Sequence, residues 1–138
     1  DFSSKRIIMY KKKRLAAMAT EFVEMAVVKA NATTGNKIAV RFDFGTDGKI
    51  AKSIRTSYIK KVKDKALLVV SADVEADKLM IIACATKGLD AVDCKAWVTA
   101  ATVGTNANGG GTKDNATFQA AGASNADAIL EKATQYNQ

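Results

Sequence analysis

The chain has no histidine in its 138 residues. That removes the commonest general base, the Ser-His and Cys-His nucleophile pairs, and the commonest zinc ligand. Cysteine is scarce too. Cys84 and Cys94 stand ten apart in apolar surroundings, too few for a four-thiolate metal site and too sparse for a disulfide framework. They read as reduced thiols of a cytosolic or organellar-matrix protein. Long hydrophobic runs are also missing: no stretch reaches the eighteen apolar residues a membrane span requires. The start does not look like a signal peptide, because KKKR (11–14) leads into a helix-period pattern rather than a solid apolar block. The chain begins at Asp1 rather than Met, as a piece of a longer protein would.

What is present is ordinary globular composition with an excess of positive charge. Hydrophobic residues make up 48% and charged residues 25%, which excludes global disorder. Twenty-one Lys and Arg oppose fourteen Asp and Glu, a net charge of +7. A polyanionic partner is the first implication, nucleic acid or an anionic membrane surface; of the two, nucleic acid is the expected partner and no membrane is.

Periodicity organises the chain. Residues 3–32 read as one long helix, about 45 Å at 1.5 Å per residue. Leu15, Met18, Phe22 and Met25 follow a three-four spacing and form a candidate dimerisation or docking stripe. Ser3 or Ser4 can cap its start, and Asn31 to Gly35 supplies the stop. KIAVRFDF (37–44) alternates as a half-buried strand does. Residues 48–63 make an amphipathic helix with Ile50, Ile54, Tyr58 and Val62 inward and Lys49, Lys52, Arg55, Lys60 and Lys63 outward. ALLVVSA (66–72) and KLMIIACA (78–85) read as neighbouring antiparallel strands joined by an acidic loop. Leu89 to Val103 has helical spacing around Trp97, a core residue, with Asp90 as cap. ATFQAA (116–121) is a short strand, and Ser124 with Asp127 opens a last helix over 125–136. The expected order is α-β-α-β-β-α-β-α. The fold class is α/β (α+β), a small mixed sheet flanked by helices and preceded by the long helix. The expected division is 1–35 for that helix and 36–138 for the globular part.

Several motifs carry little. Asp73, Glu75 and Asp77 have calcium-loop spacing, but Lys78 and Cys84 fall where glycine and glutamate are needed. Asn31 and Asn115 head glycosylation triplets without a secretory signal. No metal-ligand set is expected. The basic run holding Lys5, Arg6, Lys11, Lys12, Lys13 and Arg14 reads as a solvated helix face or, functionally, as a phosphate-tracking patch or a localisation signal; with the basic side of 48–63 it points to nucleic-acid contact. GGGTK (109–113) is neither a Walker loop nor a dinucleotide fingerprint. It reads as a backbone-exposing loop: glycines let N–H groups approach phosphate or ribose, and Lys113 adds charge.

GGGTKD (109–114), QAAG (119–122) and SNADAILEKA (124–133), with Lys87-Gly88-Leu89 and Ala91 upstream, resemble the C-terminal domain of eukaryotic alanyl-tRNA synthetases, whose globular part is of the DHHA1 family. The resemblance implies a DHHA1-like fold and a non-catalytic appendage that grips the tRNA elbow and assists alanylation. It carries that role to Gly109, Gly110, Gly111, Lys113, Gln119 and Gly122. It further implies tRNA(Ala) as partner, DNA as an alternative one, and homodimerisation through the helical part. The parent is cytoplasmic or, alternatively, of the mitochondrial matrix. No cofactor belongs to this part; ATP, magnesium and zinc would serve upstream domains. Where the family often has Lys after Gln-Ala-x-Gly, this chain has Ala123.

Overall fold

The run ALLVVSAD has no polar side to turn to water, and this places it in the middle of a sheet. It forms β2 (Ala66–Asp73), with every residue but the last buried. A strand buried on both faces needs cover on both. The computed structural model describes residues 17, 19–89 and 91–136, and it supplies that cover as two helical layers. The other strands are β1 (Lys37–Arg41), β3 (Lys78–Cys84), β4 (Asn108–Gly111) and β5 (Asn115–Ala121). They lie in the order β1-β2-β3-β5-β4. β1 is parallel to β2, and the remaining pairs are antiparallel. The sheet is therefore mixed, and the fold is α/β.

Residues 19–32 form α1. The later helices are α2 (Gly48–Lys61), α3 (Cys94–Ala101) and α4 (Ala126–Gln135). α1 and α2 cover one face, where Phe22, Val23, Ile54 and Tyr58 meet Leu67, Val69 and Ile82. α3 and α4 cover the other, where Trp97, Val98 and Ile129 meet Leu68, Ile81 and Phe118. α2 is the crossover that a parallel pair requires. Asp47 caps its start, accepting from the backbone N–H of Lys49 (2.9 Å) and Ile50 (3.3 Å). Trp97 is fully buried, and its Nε1 donates to the carbonyl of Ala133 at 2.9 Å.

Four expectations are corrected. The glycine triplet is not a loop but strand β4, so the order gains a strand between α3 and β5. Gly109 and Gly111 lie so close to β5 that a Cβ on either would fall on a β5 carbonyl oxygen, whereas Gly110 faces open space. α3 begins at Cys94 rather than Leu89, because Asp93 caps it by accepting from Ala96 N–H at 3.1 Å. The expected cap, Asp90, lies outside the described residues. The Ser124–Asp127 capping box does not form. Ser124 sits inside a 3₁₀ turn (Ala123–Asn125), and Asp127 instead accepts from Arg41 Nη1 at 2.9 Å. Finally, Phe22 and Met25 part company. Phe22 stacks on Phe42 with centroids 4.7 Å apart, and Met25 is 57% exposed. Val23, Ala26 and Ala30 fix the packed face of α1, and Met25 lies off it. Leu15 and Met18 are outside the described residues, as are Ser3, Ser4 and the basic run up to Arg14.

Candidate nucleic-acid interface

Strand register gives the sheet two ends of different charge. At one end β1 and β2 begin (Lys37 opposite Ala66), β3 finishes and β5 starts (Cys84 opposite Asn115). α2 runs antiparallel to β2 and delivers its last turn there: Thr86 Oγ1 donates to the carbonyls of Ile59 (3.2 Å) and Val62 (3.1 Å). This end collects Lys37, Lys60, Lys61, Lys63, Lys65 and Lys87. Lys113 stands in the β4–β5 turn, and its carbonyl accepts from Cys94 N–H at 2.8 Å, which brings Lys95 alongside. Among the described residues the carboxylates here are few: Asp64, which pairs with Lys65 at 3.5 Å, together with Asp93 and Asp114. The opposite end gathers Asp43, Asp47, Asp73, Glu75, Asp77 and Asp127 against Arg41, Lys49 and Lys78. The cations are thus polarised along the strands.

This polarity divides the residues that the sequence grouped. Lys60, Lys63 and Lys113 come together at the basic end. Lys52 and Arg55 sit midway along α2, over a cleft of ≈ 240 Å³ shared with Thr56, Asp114 and Asn115. Arg55 Nη1 donates to Thr117 Oγ1 at 3.1 Å, which fixes the guanidinium against β5. Lys49 lies at the acidic end beside Asp47. Gly122 is there too, with φ +91° and its N–H bonded to the carbonyl of Asp77 at 2.9 Å. Its role is a turn into α4, far from Lys113 along β5. Gln119 is exposed on the side of β5 that faces α2, in line with Asn115 and Thr117. The opposite side of that strand, Ala116, Phe118 and Ala120, is buried. Beyond Arg55, β5 therefore offers a polar strip next to a basic helix.

The reasoning from sequence missed Lys37, Lys61, Lys65, Lys87 and Lys95. Each lies at or just beyond an element boundary, and only the strand order shows that those boundaries share an end.

The remaining reactive groups are quenched. Burial pushes the Cys84 thiol up to about 12, with Cys94 adding to the shift. Burial, followed by Asp114 and Asp93, pushes Cys94 up to about 12 as well. Both thiols are free and buried, so neither presents a thiolate at neutral pH. Among the described residues, no group of three His, Cys, Asp or Glu is placed to hold a metal ion, and no helix is long and apolar enough to cross a membrane.

These features define an α/β domain with a mixed five-stranded sheet between helix pairs and a cation-rich end suited to a polyanion. No family model matches the chain, and no curated protein matches it. Among solved structures, the C-Ala domain from Aquifex aeolicus alanyl-tRNA synthetase matches with a TM-score of 0.53. The match covers 73% of this chain and 90% of that one at 14% identity, a likeness of fold.

Proposed function

We propose that this chain is a non-catalytic nucleic-acid-binding appendage that takes structured RNA on its basic end, with the tRNA elbow as the preferred target. The observation that carries this reading is the segregation of lysines from carboxylates along the strands. Structured RNA is recognised by shape, 2′-hydroxyls and phosphates, so no base-reading motif is needed. The C-Ala-like fold supports tRNA(Ala) over other RNAs, with assistance to alanylation by a parent ligase in the cytoplasm or mitochondrial matrix. In this proposal Lys60, Lys63 and Lys113 carry the grip, and Lys52, Arg55 and Gln119 extend it.

Filter binding tests it directly. Affinity for tRNA falls as salt rises, with a log–log slope of roughly −0.7 to −0.9 per phosphate neutralised. Lys60→Glu with Lys63→Glu lowers affinity about tenfold and removes roughly one to two phosphates' worth of that slope. Lys49→Glu, at the acidic end, has a smaller effect. If tRNA is not retained even at low salt, the reading fails. Competition between tRNA and duplex DNA at physiological salt ranks the two partners.

A second reading, docking or dimerisation through the N-terminal helix, has its own observation. Met25 (57% exposed) and Val28 (69% exposed) lie three residues apart on the outer side of α1. A sedimentation coefficient that stays monomeric at high concentration would remove it.

A further inference from the structure

At the open edge of β1 lies a cleft of ≈ 340 Å³, between the C-terminal ends of α1 and α4. The parallel ladder explains what faces into it. Ala66 N–H donates to Asn36 O (2.8 Å) and Phe42 N–H donates to Val70 O (3.1 Å). Even-numbered residues of β1 thus turn their backbone groups toward β2, and Lys37 and Ala39 turn theirs outward. Lys29 Nζ donates to the outward carbonyl of Ala39 at 3.0 Å. Lys37 Nζ stands 5.9 Å from the centroid of the half-buried Tyr136 ring. None of the described residues lining the cleft is Asp or Glu.

Its electrostatics can be signed. Two helix C-termini bring roughly half a negative charge each. The ammoniums of Lys29 and Lys37 outweigh that, leaving about one positive charge for an anion. Its hydrogen-bonding groups are of two kinds. The ammoniums, the Asn36 amide and the outward N–H groups donate. The hydroxyls of Thr33 and Thr134 already donate to their own helices, to Lys29 O (2.7 Å) and Leu130 O (2.9 Å), and so offer acceptor lone pairs. Donors beside acceptors, with an aromatic face between them, fit something richer than a bare anion. The volume is at the small end of ligand pockets, about 300–1,000 Å³, room for one nucleotide.

We propose that this cleft binds a single nucleotide unit. The phosphate lies between Lys29 and Lys37, the ribose hydroxyls lie on Thr33 and Thr134, and the base lies against Tyr136. The unit is either a free nucleoside 5′-phosphate or one residue of an RNA strand held at the adjacent basic end. The strand-borne form rests on the RNA-binding reading above; the free form does not.

Trp97, the single tryptophan, lines the cleft and reports on it. The whole chain is titrated with adenosine 5′-monophosphate, adenosine and inorganic phosphate, followed by Trp97 fluorescence and calorimetry. Saturable binding of the monophosphate is expected, with adenosine and phosphate each at least tenfold weaker. Lys37→Ala, with unfolding temperature unchanged, weakens the monophosphate about tenfold; Tyr136→Leu does so without changing phosphate affinity. In the tRNA assay, Tyr136→Leu lowers affinity about tenfold if the unit is part of a strand, and leaves it unchanged if the ligand is free. No saturable response at millimolar monophosphate overturns the proposal, and so does phosphate binding as tightly as the monophosphate. If tRNA is not retained but the monophosphate binds, the RNA reading falls and the cleft stands.

Discussion

A Cβ built on Gly109 would clash with the carbonyl oxygen of Thr117, and one on Gly111 with that of Asn115; one on Gly110 meets nothing within 4 Å. The outer two glycines of the triplet therefore serve strand pairing, and the middle one is free to change. Gly109→Ala and Gly111→Ala are each expected to cost about 1–3 kcal/mol. Gly110→Ala should be neutral or stabilising by a few tenths, since it restricts the unfolded chain without a native clash. Urea midpoints decide this, and an equal loss in all three variants would contradict it. The thiols make a second prediction at the same scale. Cys84 and Cys94 hold their protons to about 12 when folded, against an ordinary value of 9.0. Between those values the unfolded chain releases protons that the native one keeps, so stability falls as pH rises through that window and is unaffected below it. Tyr58, raised by burial, steepens the decline at its upper end. Denaturation midpoints at pH 7 and 10.5 measure the drop, and Cys84→Ala removes its share.

α2 shows how an element is fixed at both ends. Asp47 caps its start. At the other end Tyr58 Oη donates to Lys65 O at 3.1 Å, and Thr86 reaches the last turn. Asp47→Ala is expected to cost about 1 kcal/mol, read from the thermal midpoint, and to spare the basic end, fourteen residues away along the helix. This helix was legible in the sequence because Ile50, Ile54 and Tyr58 recur at its own period. The solid apolar runs of β2 and β3 were legible for a like reason. β4 was not: a glycine strand has no side-chain alternation, and its conformation is set by β5. The entry to α4 escaped as well, because Asp77, 46 residues earlier, holds Ala123 N–H, and Arg41, 86 residues earlier, holds Asp127. Of the candidate interface, the basic face of α2 and Lys113 could be read locally. Their meeting with Lys37, Lys65, Lys87 and Lys95 depends on strand order, which no local pattern encodes.

For the molecule as a whole, the order β1-β2-β3-β5-β4 puts three strands with a neighbour on either side in the middle and an open strand at each margin. That order sets how long each backbone proton survives in heavy water. Amides of β2 and β3 leave only when the whole domain opens, and so they report its global stability. Along β4 the lifetimes should alternate. Thr112 N–H donates to Asn115 O at 2.7 Å, which marks a bonded pair. Two and four residues back, Gly110 and Asn108 face Thr117 and Gln119 in the same sense, and Gly109 and Gly111 point their N–H groups away from β5. Exchange followed residue by residue should therefore run slow, fast, slow, fast from Asn108 to Gly111. An RNA or nucleotide that settles on the basic end without touching this margin would leave that rhythm intact.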